Sequence, residues 1–411
     1  MLRSMFTAIG SLTLHQSFMD VVADNLSNAN TPAYKASHIN FQDQISQLMQ
    51  AGSAPTTDLG GINPTQIGMG VRLGSISPTF TQGALQSTGR SSDLAIQGDG
   101  FFIYSASGSA AERFYSRDGA LTMDADGVLV NGATGMRLLG WTASGSAAAV
   151  DTGQPLTEIT IPTDSTLARA STLGTLQGNL DSTAASGSAG AYNATLGVYD
   201  SLGVLRSVTV NFQHPSNNTW SWAATSGSPA SAVGSGTLTF DTSGQYVSGS
   251  GTVTLPASGG AAAATVTLDM SQLTQLATAS TAALASQDGL AAGSLSGFNV
   301  ISNTGEVFGE YSNGLQQRLG QLALASFVNP GALLRTGQSL YRAGLNSGEP
   351  KLGAPGTGGR GTVTSGYLEA SNVDLAQEFT NMILAQRGFQ AASRVITTSD
   401  EMLQELVNLK R

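Results

Sequence analysis

The first predicted helix of the chain ends in the stretch Asn25-Leu-Ser-Asn-Ala-Asn-Thr-Pro-Ala-Tyr-Lys35. Asparagine suits the C-terminal end of a helix, because it tolerates the backbone conformations found there. Pro32 forces the preceding Thr31 into an extended conformation. Tyr34 and Lys35 then begin a new segment, so we expect the chain to change from helix to another structure here.

Apolar residues recur at alternating spacings of four and three residues on the N-terminal side of this stretch, and again at the C-terminal end of the chain. Such a narrow stripe is typical of a helix that packs along a partner helix. Polar Gln16 interrupts the first series, which comprises Met5, Ile9, Leu12, Met19, Ala23 and Leu26. The second series comprises Met382, Ala385, Phe389, Ala392, Ile396, Ser399, Leu403 and Leu406. The second helix is predicted to start near Ser371–Asp374, which offers capping side chains.

Two narrow stripes at opposite ends of the chain predict that the terminal helices pair with each other. The pair would form a rod roughly 40 to 55 Å long, at about 1.5 Å per residue. Alternatively, both helices pack on an ordinary globular core. A narrow stripe buries little apolar area in a monomer, and an exposed stripe favours contacts with other subunits.

Between the two ends, the pattern changes to short β-type runs such as Ala191–Tyr199 and Val204–Phe212. Turn dipeptides such as Asp99-Gly100 and Asn131-Gly132 fit hairpins. Because strands do not alternate with helices, a parallel-sheet enzyme fold is disfavoured. The predicted fold class is therefore a multidomain chain with paired, coiled-coil-like helical termini and mainly-β inner and outer domains nested between them.

Residues 141–300 form a distinct compositional block. They hold eight acidic and two basic residues amid Ser, Thr, Ala and Gly, which indicates an inserted outer domain. A second boundary is the Gly- and Pro-rich segment 346–361. The predicted division is a terminal helical domain of 1–28 plus 371–411, a connector of 29–72 plus 349–370, an inner β domain of 73–141 plus 294–348, and an outer β domain of 142–293.

Composition excludes several classes of function. The chain has 411 residues, a net charge of −9 and no run of basic residues, which argues against nucleic acid as a partner. It has no cysteine, and its three histidines lie far apart, so neither a disulfide nor a metal site is expected. No apolar run is long enough to insert into a membrane. A mildly apolar N-terminus suggests a secretory signal, but Thr, Ser and Gly dilute it.

Catalytic motifs are equally scarce. One match to Gly-x-Gly-x-x-Gly occurs at Gly356, Gly358 and Gly361, but prolines precede it where a dinucleotide site has a strand, and strand-like residues follow it. A flexible linker explains this motif better. We therefore expect no enzyme activity, no cofactor and no bound metal.

The eleven-residue stretch closely resembles the signature of the axial proteins of the bacterial flagellum. The family often has Gly at the position of Ala33, so the alanine argues against a left-handed backbone there. Further similar segments are Asp93–Phe102, Ser116–Trp141, Tyr311–Gly348, Gly366–Asp374, Ile383–Gln390 and Ile396–Leu409. The residues that carry the signature are Asn25, Asn28, Asn30, Thr31, Pro32, Tyr34, Lys35, Gln386, Arg387 and Gly388.

Members of this family are structural, and the large insertion at 142–293 favours a hook member over a shorter rod member. The resemblance implies a homopolymer, a curved tube that transmits motor torque from the rod to the filament. It also implies an extracellular position in the flagellum, export through the flagellar export apparatus without a cleaved signal, and partners among rod, hook-cap, hook-length-control and hook–filament junction proteins. The alternatives are an elongated rod protein and a secreted β-rich adhesin or enzyme.

Overall fold

A computed structural model describes residues 2–57, 59–107, 112–143 and 150–408. The chain divides into two compact units. The first contains residues 1–161, 298–308 and 318–411, and the second contains residues 162–297 and 309–317. Two terminal helices and a β-rich remainder confirm the predicted fold class.

The two helices are α1 (Leu2–Ser27) and α2 (Leu375–Asn408). Helix α1 ends within the predicted stop sequence. Helix α2 begins after Asp374, whose carboxylate Oδ1 accepts backbone N–H groups of Ala376 at 2.9 Å and Gln377 at 3.2 Å. These bonds satisfy donors that every helix N-terminus leaves unpaired, and the predicted start of this helix is confirmed.

The strands are short in the first third of the chain and longer in its middle. The first twelve are β1 (Ser37–Asp43), β2 (Ser46–Gln50), β3 (Thr65–Gly68), β4 (Val71–Pro78), β5 (Leu85–Ser87), β6 (Leu94–Gln97), β7 (Phe101–Ser105), β8 (Phe114–Ser116), β9 (Leu121–Met123), β10 (Leu129–Asn131), β11 (Arg137–Thr142) and β12 (Thr157–Glu158). The next thirteen are β13 (Thr166–Arg169), β14 (Leu173–Asp181), β15 (Gly187–Tyr199), β16 (Leu205–Ser216), β17 (Thr219–Ser226), β18 (Ser231–Phe240), β19 (Tyr246–Ser248), β20 (Gly251–Leu255), β21 (Ala264–Leu276), β22 (Ala283–Gln287), β23 (Leu290–Val300), β24 (Glu306–Tyr311) and β25 (Gln316–Leu322). The last six are β26 (Leu324–Ser326), β27 (Leu334–Gly337), β28 (Leu340–Arg342), β29 (Lys351–Gly353), β30 (Thr362–Ser365) and β31 (Tyr367–Glu369). A 3₁₀ helix at Pro330–Ala332 lies between β26 and β27.

In the first unit, an antiparallel sheet runs in the order β11-β7-β8-β28-β27. Its core is aromatic: Phe101 packs edge-to-face on Phe80, Phe327 and Tyr341, with ring centroids 5.3 to 6.1 Å apart. Separate ladders join distant parts of the chain, since β30 pairs with β6 and β31 pairs with β5. These ladders hold the C-terminal segment that leads into α2.

In the second unit, two sheets share one apolar core. One sheet is the antiparallel array β15-β16-β17-β18-β19, and the other has the order β20-β21-β14-β22. The core includes Phe212 of β16 and Trp220 and Trp222 of β17, and buried residues alternate with less buried ones along both strands. The second unit begins at Pro162, whereas the sequence analysis placed the start of the outer domain at 142. Residues 150–161 belong to the first unit because Leu156 and Ile159 are buried there.

Candidate functional site: the terminal helices and their junction

Helices α1 and α2 pack against each other in antiparallel orientation. His15 lies against Gly388, and ten residues further along α1 the amide Nδ2 of Asn25 donates to Oε1 of Glu378 at 3.3 Å. Residue numbers therefore rise along α1 as they fall along α2. The chain ends, which are far apart in sequence, form one two-helix element.

The side of α1 that packs against α2 is rotated from the predicted stripe. Its buried residues are Ala8, Leu14, Val22 and Asn25. The predicted residues of α1 lie beside this line, with Ile9 exposed and four half-buried: Met5, Leu12, Met19 and Leu26.

On α2 the buried line coincides with the predicted series. Ala385, Ala392 and Ser399 recur every seven residues and are buried. The larger members of the series are half-buried beside them, namely Met382, Phe389, Ile396 and Leu403. Leu406 is exposed near the end of the helix. The buried side of α2 is therefore made of small residues, with larger apolar side chains along its edges.

Gly388 of α2 packs directly against His15 of α1. A Cβ atom at this position would overlap the imidazole ring of His15, lying 2.5 Å from its Nε2. Gly costs about 1 kcal/mol in a helix interior relative to Ala, and the close packing of the histidine explains why it is used here. The neighbouring Gln386 and Arg387 are exposed.

At the base of the helices, the Asn25 side chain joins the end of α1 to the start of β1. Its Oδ1 accepts the backbone N–H of Ser37 at 2.8 Å, and its Nδ2 donates to the backbone carbonyl of Ser37 at 2.9 Å. The hydroxyl of Tyr34 donates to Oδ2 of Asp24 at 2.9 Å, and burial raises the pKa of Tyr34 to about 12. The signature thus closes a tight turn after the helix.

Other signature residues shape the backbone of this turn. Asn28 Nδ2 donates to the carbonyl of Asp24 at 2.9 Å, and Thr31 Oγ1 donates to Asn28 Oδ1 at 3.0 Å. Asn30 and Pro32 are exposed.

The alanine within the turn has a left-handed backbone. Ala33 has φ 59°, so the expectation that alanine disfavours this conformation is wrong. Its N–H donates to the carbonyl of Glu369 at 2.8 Å, a contact that holds the strained residue in place.

Lys35 ends the signature in a fully buried ion pair. Its Nζ lies 2.6 Å from Oε1 of Glu369, and both side chains have 0% exposure. Nζ also donates to the backbone carbonyl of Thr81 at 2.8 Å. Burial lowers the pKa of Lys35, and the Glu369 carboxylate only partly offsets that effect. A charge in such a place requires all of these partners.

Arg117 adds a second cation to this ion pair. Its Nη1 lies 3.5 Å from Oε2 of Glu369, and its Nη2 donates to the carbonyl of Gly98 at 2.7 Å. Arg335 also contacts the group, since its Nη2 donates to the carbonyl of Lys35 and its guanidinium stacks on Tyr34. We call Lys35, Glu369 and Arg117 the ion cluster.

A second side chain from the C-terminal segment completes the junction. Asn372 accepts the N–H of Ala36 at 2.8 Å and donates to the carbonyl of Thr79 at 2.8 Å. Sequence reasoning assigned no role to Asn372, Glu369 or Arg117. Glu369 and Asn372 lie in the quoted segment Gly366–Asp374, but nothing in the sequence pairs them with residues more than 300 positions earlier.

The strands that follow the junction expose apolar side chains. Every residue of β2 and β3 is exposed. The exposed large apolar residues of this region are Phe41, Ile45, Leu48, Met49, Leu59, Ile62, Ile67, Met69, Leu73 and Ile76.

Within the described ranges, no group of three or more His, Asp or Glu side chains could hold a metal ion. Neither helix of the described chain is both long and apolar enough to cross a membrane.

Four family models match successive parts of the chain. They are the flagella basal body rod protein at residues 5–35, the flagellar hook protein FlgE/F/G D1 domain at 95–178, the flagellar basal body protein FlaE D2 domain at 175–290, and the flagellar basal body rod FlgEFG protein C-terminal at 364–409. The first includes the signature stretch 25–35, and the last includes all of α2.

Curated relatives match along the whole length. The flagellar hook protein FlgE of Borreliella burgdorferi is 36% identical, with 100% of both chains covered. The chain belongs to the flagellar hook protein family. The Salmonella typhimurium FlgE hook protein is also 36% identical, over 98% of this chain and 99% of its own. Members of this family are structural subunits of the flagellum and not enzymes, which confirms those two expectations.

A rod protein also matches over the full length. The flagellar basal-body rod protein FlgG of Bacillus subtilis is 30% identical, with 100% of both chains covered. Because this relative is as long as the present chain, the insertion at 142–293 does not by itself separate hook members from rod members.

Proposed function

We propose that the chain polymerises through its terminal helices into the curved, flexible tube of the flagellar hook, which transmits torque from the rod to the filament. The observation that carries this proposal is the packing of α1 on α2. Small residues, Ala385, Ala392 and Ser399, form the buried side of α2, and larger apolar side chains remain on the surface of the pair. Exposed apolar area of this kind marks a surface that other subunits cover.

The residues proposed to make contacts between copies are the larger members of the two stripes. On α1 they are Met5, Ile9, Leu12, Met19 and Leu26, none of which is buried in one chain. On α2 they are Met382, Phe389, Ile396, Leu403 and Leu406, with Ala385 and Ala392 holding the pair together. Contacts between different faces of identical subunits do not close, so they extend into a helical polymer.

We propose that the junction fixes the direction in which the helix pair leaves the β part of the first unit. The ion cluster, Asn25 and Asn372 hold the segment that follows α1 and the segment that precedes α2 through ion pairs and hydrogen bonds. This role accounts for the signature residues Tyr34 and Lys35. The exposed Gln386 and Arg387 are proposed as polar contacts between subunits.

The four-part domain division is also a proposal. We assign the outer part a role in bending, because its few charges and small polar surface residues would form weak contacts that can slide. A chain without residues 162–297 should then form hooks of altered curvature, measured by electron microscopy. Unchanged curvature and swimming would contradict this role.

The proposed partners are the rod proteins, the hook cap, the hook-length-control protein, the hook–filament junction proteins and the flagellar export apparatus. We propose that the chain travels unfolded through the export channel without a cleaved signal. The N-terminal segment would then act first as an export signal and later as helix α1. The absence of cysteine is compatible with this route.

Electron microscopy of basal bodies from bacteria that lack this gene tests the assignment. We expect basal bodies with a complete rod and no hook. Truncated rods would instead support the second candidate, a rod subunit, which the full-length match to a rod protein favours. Intact flagella would contradict both.

A further inference from the structure

An open groove lies beside the helix pair in the first unit. Its volume is about 780 Å³, and its walls come from α1, from β3 and the residues after it, and from α2. The residues that matter here are Phe6, Ile67, Met69, Ala391 and Val395. Because the lining is mostly apolar, the groove suits an apolar ridge better than water or a charged ligand.

The groove exists because α2 is narrow where it lines the groove. Gly388, Ala391 and Ala392 project little or no side chain, while Phe6 and Met69 stand at the sides and remain exposed. A row of small residues between larger ones gives a depression that can receive the side chains of another helix.

An apolar ridge of matching character lies on the opposite side of α2. Leu375, Phe379 and Ile383 recur every four residues and therefore share one face. They are 48, 52 and 57% exposed, although each is large and apolar. At 3.6 residues per turn, the centre of this face is about 170° around the helix from the centre of the groove-lining residues. We call these three residues the outer ridge.

We infer that the outer ridge of one copy occupies the groove of a second copy. The two surfaces are on opposite sides of one helix, so a single chain cannot bring them together. Each copy would offer a ridge to one neighbour and a groove to another, and such a heterologous contact repeats without closing. This inference rests on the proposed function, and it specifies which two surfaces of neighbouring copies are in contact.

Introduced cysteines test this contact directly, because the chain has no cysteine of its own. One full-length variant carries Ile383→Cys on the ridge, and a second carries Ala391→Cys in the groove; both positions are exposed. Eight residues on one helix span about 12 Å. A disulfide needs Cα atoms within about 7 Å, so a bond between these two positions joins two copies.

The experiment mixes the two variants, lets them polymerise, oxidises them mildly and separates the chains by non-reducing electrophoresis. We expect roughly tenfold more covalent dimer than from the control mixture, Ile383→Cys with Gln404→Cys, since disulfide formation depends steeply on distance. Gln404 is also exposed on α2 but does not line the groove. Mass spectrometry of the dimer should identify the 383–391 bond.

Two failures can be told apart. If polymers form but the 383–391 pair gives no more dimer than the control pair, this inference is wrong and polymerisation through the helices still stands. If the chain without substitutions forms no polymer under any condition that supports hook growth, the proposed function itself fails.

As a second measurement, Phe379→Ser should slow polymerisation at least as much as Leu406→Ser does, while leaving thermal unfolding of the second unit unchanged. An undiminished polymerisation rate would count against the ridge.

Discussion

The second unit and the terminal part of the first unit treat their largest apolar side chains in opposite ways. In the second unit, Trp220 and Trp222 are buried in a core shared by two sheets. In the helices and the strands β1–β4, Phe6 and Phe379 are exposed together with about half of the large aliphatic residues. A unit that completes its own core can fold alone, whereas surfaces left uncovered depend on other copies.

The two regions also use charge differently. The second unit has few charged side chains. Its acidic residues mainly accept hydrogen bonds in turns, as Asp241 does from the backbone N–H groups of Ser243 and Gln245. The helix junction instead buries the ion cluster completely. Apolar packing is non-directional, while a buried ion pair with several hydrogen bonds specifies one geometry at a cost in stability.

The largest effect should come from the ion cluster. Glu369→Gln leaves Lys35 and Arg117 without a buried anion, so we expect it to lower the free energy of unfolding of the first unit by about 3 to 5 kcal/mol. Denaturant unfolding of the full chain measures the change. Glu158→Gln removes the carboxylate of a half-exposed pair with Arg137 and serves as the control, with an expected loss below about 1 kcal/mol. Equal losses would mean that the cluster has no special role.

The next largest effect concerns the close contact of the helices. Gly388→Ala normally favours a helix by about 1 kcal/mol, but here the added methyl overlaps His15. We therefore expect a net loss of about 1 to 3 kcal/mol in the stability of the helix pair. Circular dichroism during thermal unfolding measures it.

The double variant His15→Ala with Gly388→Ala supplies the control for this contact. It should recover most of the stability lost by Gly388→Ala, because the ring that the methyl overlaps is then absent. A stabilising effect of Gly388→Ala alone would show that the helices separate freely at this point.

A smaller effect is expected from the Asp288 carboxylate in the second unit. Partial burial raises the pKa of this carboxyl, but the Thr172 hydroxyl and the backbone N–H groups of Leu173 and Thr172 outweigh it and lower the pKa to about 2. A lowered pKa stabilises the fold above the ordinary value near 3.8, and this stabilisation disappears as the pH falls through about 2.

Asp288→Asn should therefore lower the stability of the second unit at pH 7 by on the order of 1 to 2 kcal/mol, after allowance for solvent screening. It should also flatten the decline in stability between pH 4 and pH 2, followed by tryptophan fluorescence. The exposed Asp164 offers a control, Asp164→Asn. An unchanged pH profile for Asp288→Asn would contradict the assignment.

The smallest effect lies in the turn between β27 and β28. Gln338 and Ser339 have backbone φ angles of 53° and 57°, values that residues other than Gly and Asn rarely adopt. Replacing the pair by Asn-Gly should raise the stability of the first unit by about 1 kcal/mol, measured by denaturant unfolding. Replacement by Ala-Ala at the same two positions should not stabilise it, and a gain from both replacements would rule out backbone strain as the cause.

Local patterns predicted the elements of the fold well. The helix stop at 25–35, the capping residue Asp374 and the alternating strands of the second unit all depend on neighbours in sequence. The spacing of Ala385 and Ala392 also located the buried line of α2, because small residues mark the close side of a helix pair.

Long-range partners could not be predicted. The buried line of α1 was missed because large residues define its most apolar stripe, whereas the side that packs on Gly388 contains His15 and Ala8. The ion cluster was missed because its partners, Lys35, Arg117 and Glu369, come from three distant segments. A single sequence carries no signal that pairs them.

Amide hydrogen exchange tests the contrast between the two regions most directly, comparing the soluble chain with the assembled polymer. We expect residues 2–78 and 375–408 to gain protection on assembly, because their exposed apolar side chains become covered and local opening is suppressed. The core strands of the second unit, at residues 173–276, should exchange at nearly the same rate in both states. Protection gained mainly in the second unit, with no change in the helices, would contradict the account.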